Sequence, residues 1–209
     1  GGSSHAVSTA APASTESPVC PNPEGQSCLG KLDAGTYTTK VFNPAITYAV
    51  PAGWWNYEDT PGNFLLVPPY GDLPGVNAGT SDYIGIYASV VAEAYSCSGQ
   101  DQATGVLWKP GTIAHYIADR HGLATTTPRP VRVGGLKGVV LDIRLRHGAG
   151  LHCPGYAPRY YPIIVGVGRT GLDHGVIPHM VMRLYLLQQS GSILAVEVDD
   201  ISDGGHLSR

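Results

Sequence analysis

Histidine is the residue type here whose chemistry is hardest to ignore: the chain has eight, and five of them lie at or beyond His147. Two groups have the closeness in sequence to act together. His147 and His152 stand beside Cys153, and Asp173 and His174 precede His179 by a short loop. Zinc takes imidazole nitrogen, thiolate and carboxylate in a tetrahedral set. Asp173, His174 and His179 are therefore the candidate metal ligands, and a metal-assisted hydrolase built on that loop is the enzymatic alternative. Neither group has a helix-borne spacing such as H-E-x-x-H, so exposed loop histidines are the simpler reading.

Other chemical motifs weaken on inspection. Gly166-Val167-Gly168-Arg169-Thr170-Gly171 is a formal G-x-G-x-x-G after the apolar run Pro162 to Val165. A dinucleotide site needs a helix next, its N-terminus holding the pyrophosphate. Leu172-Asp173-His174-Gly175 and then Pro178 deny that helix, which leaves a glycine-rich strand end. No G-x-S-x-G elbow presents a serine nucleophile. Asp142 and Glu197 fall at outward positions of alternating strands and read as solvated sheet surface rather than an acid/base pair. Trp55 and Tyr57, in the segment Trp54-Trp55-Asn56-Tyr57, are the candidate ligand contacts for a sugar or peptide, with anchoring at a strand end as the alternative. An extended chain sends Trp54 and Trp55 to opposite sides.

Cys20, Cys28, Cys97 and Cys153 are an even set in a chain of secreted character, which reads as two disulfides. Four cysteines allow three connectivities. Cys20–Cys28, closing a short Pro-rich loop, with Cys97–Cys153, joining two loops of the core, is the pairing expected; four free thiols are the alternative.

The elements that must position these residues are mostly strands. Ile46, Tyr48 and Val50 alternate with polar or small residues, Asn63 to Val67 is a short apolar run, and Tyr83 to Val91 sets Ile84, Ile86, Ala88 and Val90 on one face. Val139, Leu141, Ile143 and Leu145 alternate with Asp142, Arg144 and Arg146, the pattern of an antiparallel sheet with one wet face. Gly134-Gly135 predicts a hairpin into that strand, and Ser190-Gly191 predicts another between Met180–Leu186 and Leu194–Val198. Leu194, Val196 and Val198 are taken as the core face of the last strand. One helix is expected from Pro110-Gly111-Thr112, with Thr112 as N-cap, to Gly122. The expectation is an α+β fold: a twisted antiparallel sheet with the helix packed on one face.

Residues 1–30 are rich in Ser, Thr, Ala, Pro and Gly without apolar periodicity and read as a disordered low-complexity linker, with a single domain over 31–209. A lipid anchor on a cysteine just before Gly1 is one origin for such a start, and a cloning remnant in Gly1-Gly2-Ser3-Ser4 is the other. At the far end, Asp203-Gly204-Gly205 and His206-Leu207-Ser208 suggest a helix that never develops. The expectation is a last strand left with an open edge that recruits a partner, a second copy included, unless the Tyr70–Asp82 loop or the linker covers it.

In 209 residues, 13 are basic and 16 acidic, for a net charge of −3, and the basic residues form no cluster, so nucleic acid is excluded as a partner. No apolar run reaches the roughly 18–20 residues of a membrane helix.

Val41 to Trp55, VFNPAITYAVPAGWW, with the later order of central strands, helix, VRVGGLKGVVLDIRL hairpin and closing RLYLL…SILAVEV hairpin, resembles PsbP-like domains. That group takes in the photosystem extrinsic protein, the nuclear transport factor Mog and LpqN-type lipoproteins. The chain departs from the pattern in its Tyr- and Gly-rich loop from Tyr70 to Asp82 and in ending at Arg209. The resemblance implies a non-enzymatic accessory or binding role without a cofactor. The resulting expectation is an extracytoplasmic or cell-surface binding domain whose partner is a protein or small ligand, with a structural subunit of a surface assembly as a further alternative.

Overall fold

The computed structural model describes residues 29–99, 101–154, 159–167 and 172–207. Nearly all of the expected linker, Cys20 with Cys28, and the glycine motif from Gly168 to Gly171 lie outside the described residues. In chain order the strands are β1 (Gly30–Lys31), β2 (Gly35–Thr38), β3 (Thr47–Val50), β4 (Trp55–Asp59), β5 (Asn63–Val67), β6 (Tyr83–Tyr87) and β7 (Val90–Ala92). Helix α1 (Pro110–Ala118) follows, then β8 (Leu123–Thr125), β9 (Arg129–Val133), β10 (Leu136–Leu145), β11 (Tyr161–Gly166), β12 (Asp173–Val176), β13 (Val181–Gln189) and β14 (Ser192–Asp200).

The main antiparallel sheet runs β1-β4-β5-β6-β14-β13-β10-β8, with β9 also on β10. Both predicted hairpins form through two-residue turns whose residues all have positive φ, Gly134 and Gly135 at 55° and 83°, Ser190 and Gly191 at 39° and 86°. That is the geometry in which the turn's twist matches that of the strands.

The expected α+β class is overturned. Among the described residues, fourteen strands stand against a single nine-residue helix and one 3-10 turn, Leu73–Gly75. The layer opposite the main sheet is a second antiparallel sheet, β12-β11-β7, which shares one apolar core with it. Helix α1 buries Ile113, Ala114 and Ile117 in that core and packs Tyr116 part-buried against it. The run Pro162–Val165 lies in β11 and is buried throughout, as the central strand of a covered sheet is, so its pattern carries no sign of which layer it joins. Pro110 opens the helix as its first-turn proline with Lys109 as the cap, so Thr112 is inside it.

The main sheet's other face is not wet either. Phe64, Leu66, Leu187 and Leu194 are buried there with Phe42 and Val50, under the two-stranded β2-β3 sheet. Asp59, itself fully buried, anchors that cover by accepting hydrogen bonds from the backbone N–H groups of Lys40, Val41 and Phe42. A carboxylate filling three converging N–H groups is satisfied without a cation.

The segment Tyr83 to Val91 is two strands rather than one. Ser89, at φ 56°, breaks it, so that β6 stays in the main sheet and β7 crosses to the smaller one. The open edge expected at the last strand is absent, because β14 pairs with β13 on one side and β6 on the other. The Tyr70–Asp82 loop meets the segment that follows β14: Asp82 accepts from Ile201 N–H, and the Tyr70 ring lies 4.9 Å from that of His206. No helix among the described residues is long and apolar enough to cross a membrane.

Candidate functional site

The face that β14 turns to the large core is the polar one. Its register sets Ala195, Glu197 and Asp199 opposite Leu186, Leu184 and Met182 of β13. Directly opposed residues share a face, and those three apolar side chains are core, so Glu197 and Asp199 are carried in with them, 0% and 2% exposed. The expectation of a solvated Glu197 is thereby corrected, and Leu194 and Val196 point to the other cluster. Asp142 does keep an outer position, where its carboxylate takes a two-pronged ion pair from Arg183 at 2.7 and 2.9 Å.

On the other side of β14, Gly85 of β6 stands opposite Glu197 and Tyr83 opposite Asp199. Tyr83 donates to Glu197 Oε1 at 2.8 Å. From the smaller sheet His174 reaches into the same space: its Nδ1 lies 3.2 Å from Glu197 Oε1, 3.1 Å from the Tyr87 hydroxyl and 3.3 Å from that of Tyr83. Burial pushes both carboxyls up, Asp199 well above the usual range because the Glu197 charge adds to the loss of water. The two carboxyls therefore titrate as one pair that favours holding a proton, with Tyr83 donating to Glu197. Burial also lowers His174, against the pull of Asp199 and Asp173, and keeps its ring neutral. With Glu197 as acceptor, His174 Nδ1–H donates and Nε2 is the lone-pair nitrogen.

His174 retains 22% exposure and borders a cleft of about 420 Å³. Asn77, Tyr83, Tyr160 and Asp173 supply the rest of its polar lining, and the Val76–Gly79 part of the long loop forms one wall. Behind it, Tyr160 donates to Asp173, and the fully buried Glu93 carboxyl is pushed up to about 9 by burial, then by the charge and hydrogen bond of Asp173, against the offsetting charge of Arg120. The cleft thus has an acceptor-rich floor: one neutral imidazole, one carboxylate at the surface and proton-holding carboxyls beneath.

Gly85 keeps this cluster intact. A Cβ there would come within 2.0 Å of the Tyr87 hydroxyl, and Tyr87 is fully buried with its ring 4.3 Å from that of His174. Gly85→Ala is expected to destabilise the fold by about 1–3 kcal/mol, an overpacking cost. It should also shift the His174 ring resonances; unchanged resonances with unchanged stability would show that the tyrosine moves aside freely.

The other predicted site residues scatter. His179 is 79% exposed, pairs with Asp203 at 3.6 Å and lines a different cleft from Asp173 and His174, so the three expected ligands do not converge. Tyr57 is core, and Trp55 packs part-buried against the same cluster. Cys97 and Cys153 form a disulfide. Among the described residues, the metal-type grouping is instead Asp82, Asp200 and His206. Asp200 already accepts from the N–H groups of Ser202, His206 and Leu207, and Asp82 from Ile201. Ser202 and Asp82 both meet the same ring nitrogen of His206, which is not the arrangement of a catalytic triad. That cluster ties down the chain after β14.

No family model matches this sequence, and no curated protein does. Among solved structures the chain is similar to cyanobacterial PsbP (CyanoP) from Synechocystis sp. PCC 6803, at 12% identity and a TM-score of 0.33, over 88% of this chain and 89% of that one. The similarity falls on the PsbP side of the resemblance and says nothing of its LpqN-type or Mog branches. At that level it bears on no residue of either cleft.

Proposed function

We propose that this is an extracytoplasmic, non-catalytic binding domain that takes a ligand bearing a protonated amine into the cleft over His174. The observation that carries the reading is the cleft's lining, in which Asp173, His174, Tyr83 and Tyr160 all accept hydrogen bonds or attract a cation, with no Lys or Arg among the described lining residues. An ammonium group is matched by a carboxylate, a lone-pair nitrogen and the faces of phenol rings. Burying carboxyls without a cation is costly, and such sites are concentrated where a ligand is handled. The same lining holds no Ser, Thr or Cys among the described residues, so it offers no hydroxyl–histidine or thiol–histidine pair of the usual acyl-transfer kind. The Cys97–Cys153 disulfide supports an oxidising compartment. With His179 in the other cleft, the geometry offers the metal-assisted hydrolase no support.

Putrescine, tetramethylammonium, glucose and acetate serve as probes, read by the His174 ring resonances. Putrescine should shift them saturably, and Asp173→Asn should weaken that binding at least tenfold, as loss of a charged hydrogen bond does. No response to either cation, or a response to acetate or glucose instead, would overturn the reading.

A further inference from the structure

A second cleft, of about 530 Å³, has the opposite character. Arg146, His147, His152, Arg159 and His179 line it, and Asp203 is the one carboxylate among the described lining residues. In a chain of net charge −3, this gathers two arginines and three histidines from three separate stretches of sequence around one hollow. The three histidines do not make a metal set: their ring nitrogens are not close enough together to be grouped with the one candidate cluster found among the described residues. Two guanidinium groups alongside would also repel a cation.

We infer that this cleft binds a small organic oxyanion, its carboxylate or phosphate held by Arg146 and Arg159 and its apolar body laid against Leu145 and Pro178, which form part of the same lining. The basic groups are held in place before any ligand arrives. Arg146 Nε donates to the Leu123 carbonyl at 2.7 Å, and Arg159 donates to the Gly148 carbonyl, so each guanidinium is fixed by a backbone oxygen on one edge. The loop carrying His147 and His152 is closed at its far end by the bridge between Leu151 and Tyr160, and beyond it by the Cys97–Cys153 disulfide. His179 is held in the left-handed region at φ 69°, a conformation uncommon outside glycine that the surrounding chain has to maintain. Guanidinium groups match planar carboxylate and phosphate oxygens in pairs of hydrogen bonds, which a lysine cannot reproduce. A preset cluster of this kind loses little freedom on binding.

Calorimetric titration of the intact chain at low salt tests the inference with benzoate, phenyl phosphate, inorganic phosphate and benzyl alcohol. Benzoate and phenyl phosphate should bind, and the tighter of the two identifies the head group. Benzyl alcohol should not bind, and inorganic phosphate should bind at least tenfold more weakly than phenyl phosphate. Arg159→Gln and Arg146→Gln should each weaken benzoate at least tenfold. His179→Ala, at a position too exposed to threaten folding, should weaken it about threefold, and His174→Ala in the other cleft should leave it unchanged. Equal binding of phosphate and phenyl phosphate, undiminished binding in both arginine variants, or no binding of either aromatic anion would overturn the inference.

Discussion

Raising the pH from about 6.5 to 9 should weaken this fold by about 3 kcal/mol through Glu93 alone, in a range where most carboxylates have finished titrating. The cause is the set of buried carboxyls. Glu93 ionises near 4.5 when exposed and only at about 9 in the folded protein, and Asp199 and Glu197 are raised in the same direction by burial. For an acid raised on folding, the folded state holds the proton while the unfolded state releases it. Stability is therefore full below the unfolded value and is lost progressively as pH climbs toward the folded one, at about 1.4 kcal/mol per pH unit for each proton. His174 acts in the opposite sense, since its lowered affinity makes the unfolded chain the better proton binder in acid, but above about 6.5 it is neutral in both states and drops out. Urea unfolding at a series of pH values reads the slope directly. Glu93→Gln should remove the share that Glu93 supplies and leave that of the Glu197–Asp199 pair. A stability that stays level across this window would mean that Glu93 is ionised in the folded protein.

Removing the disulfide should cost still more. Cys97 and Cys153 are 56 positions apart, and closing a loop of that size restricts the unfolded chain by about 4 kcal/mol in the chain-entropy account. The double variant Cys97→Ser with Cys153→Ser is expected to unfold at correspondingly lower urea and to lose the benzoate affinity of the basic cleft, because the bond anchors the stretch that carries His147 and His152. The first cleft, built on β6, β12 and β14, should keep its putrescine response. A loss of less than about 1 kcal/mol would show that the two loops are held by their other contacts.

Much of the strand framework was legible in the residue pattern. Asn63–Val67 is β5 as read, the alternations in β10 and β13 point the same residues into the core, and the two short turns are where glycine and serine placed them. These succeeded because period-two burial and positive-φ turns are local consequences of residue type. The disulfide between Cys97 and Cys153 was likewise the pairing expected.

The site was not read, although one signal for it was present. A two-residue turn at Ser190-Gly191 sets Gln189 against Ser192, and hence Leu184 against Glu197 and Met182 against Asp199. If Met182 and Leu184 face the core, those carboxylates must follow. Taking Leu194, Val196 and Val198 as the core face ignored this register and trusted hydrophobicity on a strand that has cover on both sides.

By itself, then, the sequence determined several strands and the two tight turns between them, and it favoured Cys97–Cys153 among the possible pairings, since each depends on neighbours a few residues away or on compartment. Tertiary structure alone decided the rest. It set the β12-β11-β7 sheet over the main one, brought His174 down onto Glu197 and Tyr83, and sent His179 to a different cleft from its near neighbour His174. Those placements follow from which faces two sheets bury against each other and from turns that carry adjacent residues to opposite sides, and they rest on contacts between segments up to 114 residues apart, Tyr83 and Glu197 among them. Local residue preferences hold no record of such contacts, because the free energy that selects them comes from apolar area removed from water only when the layers close.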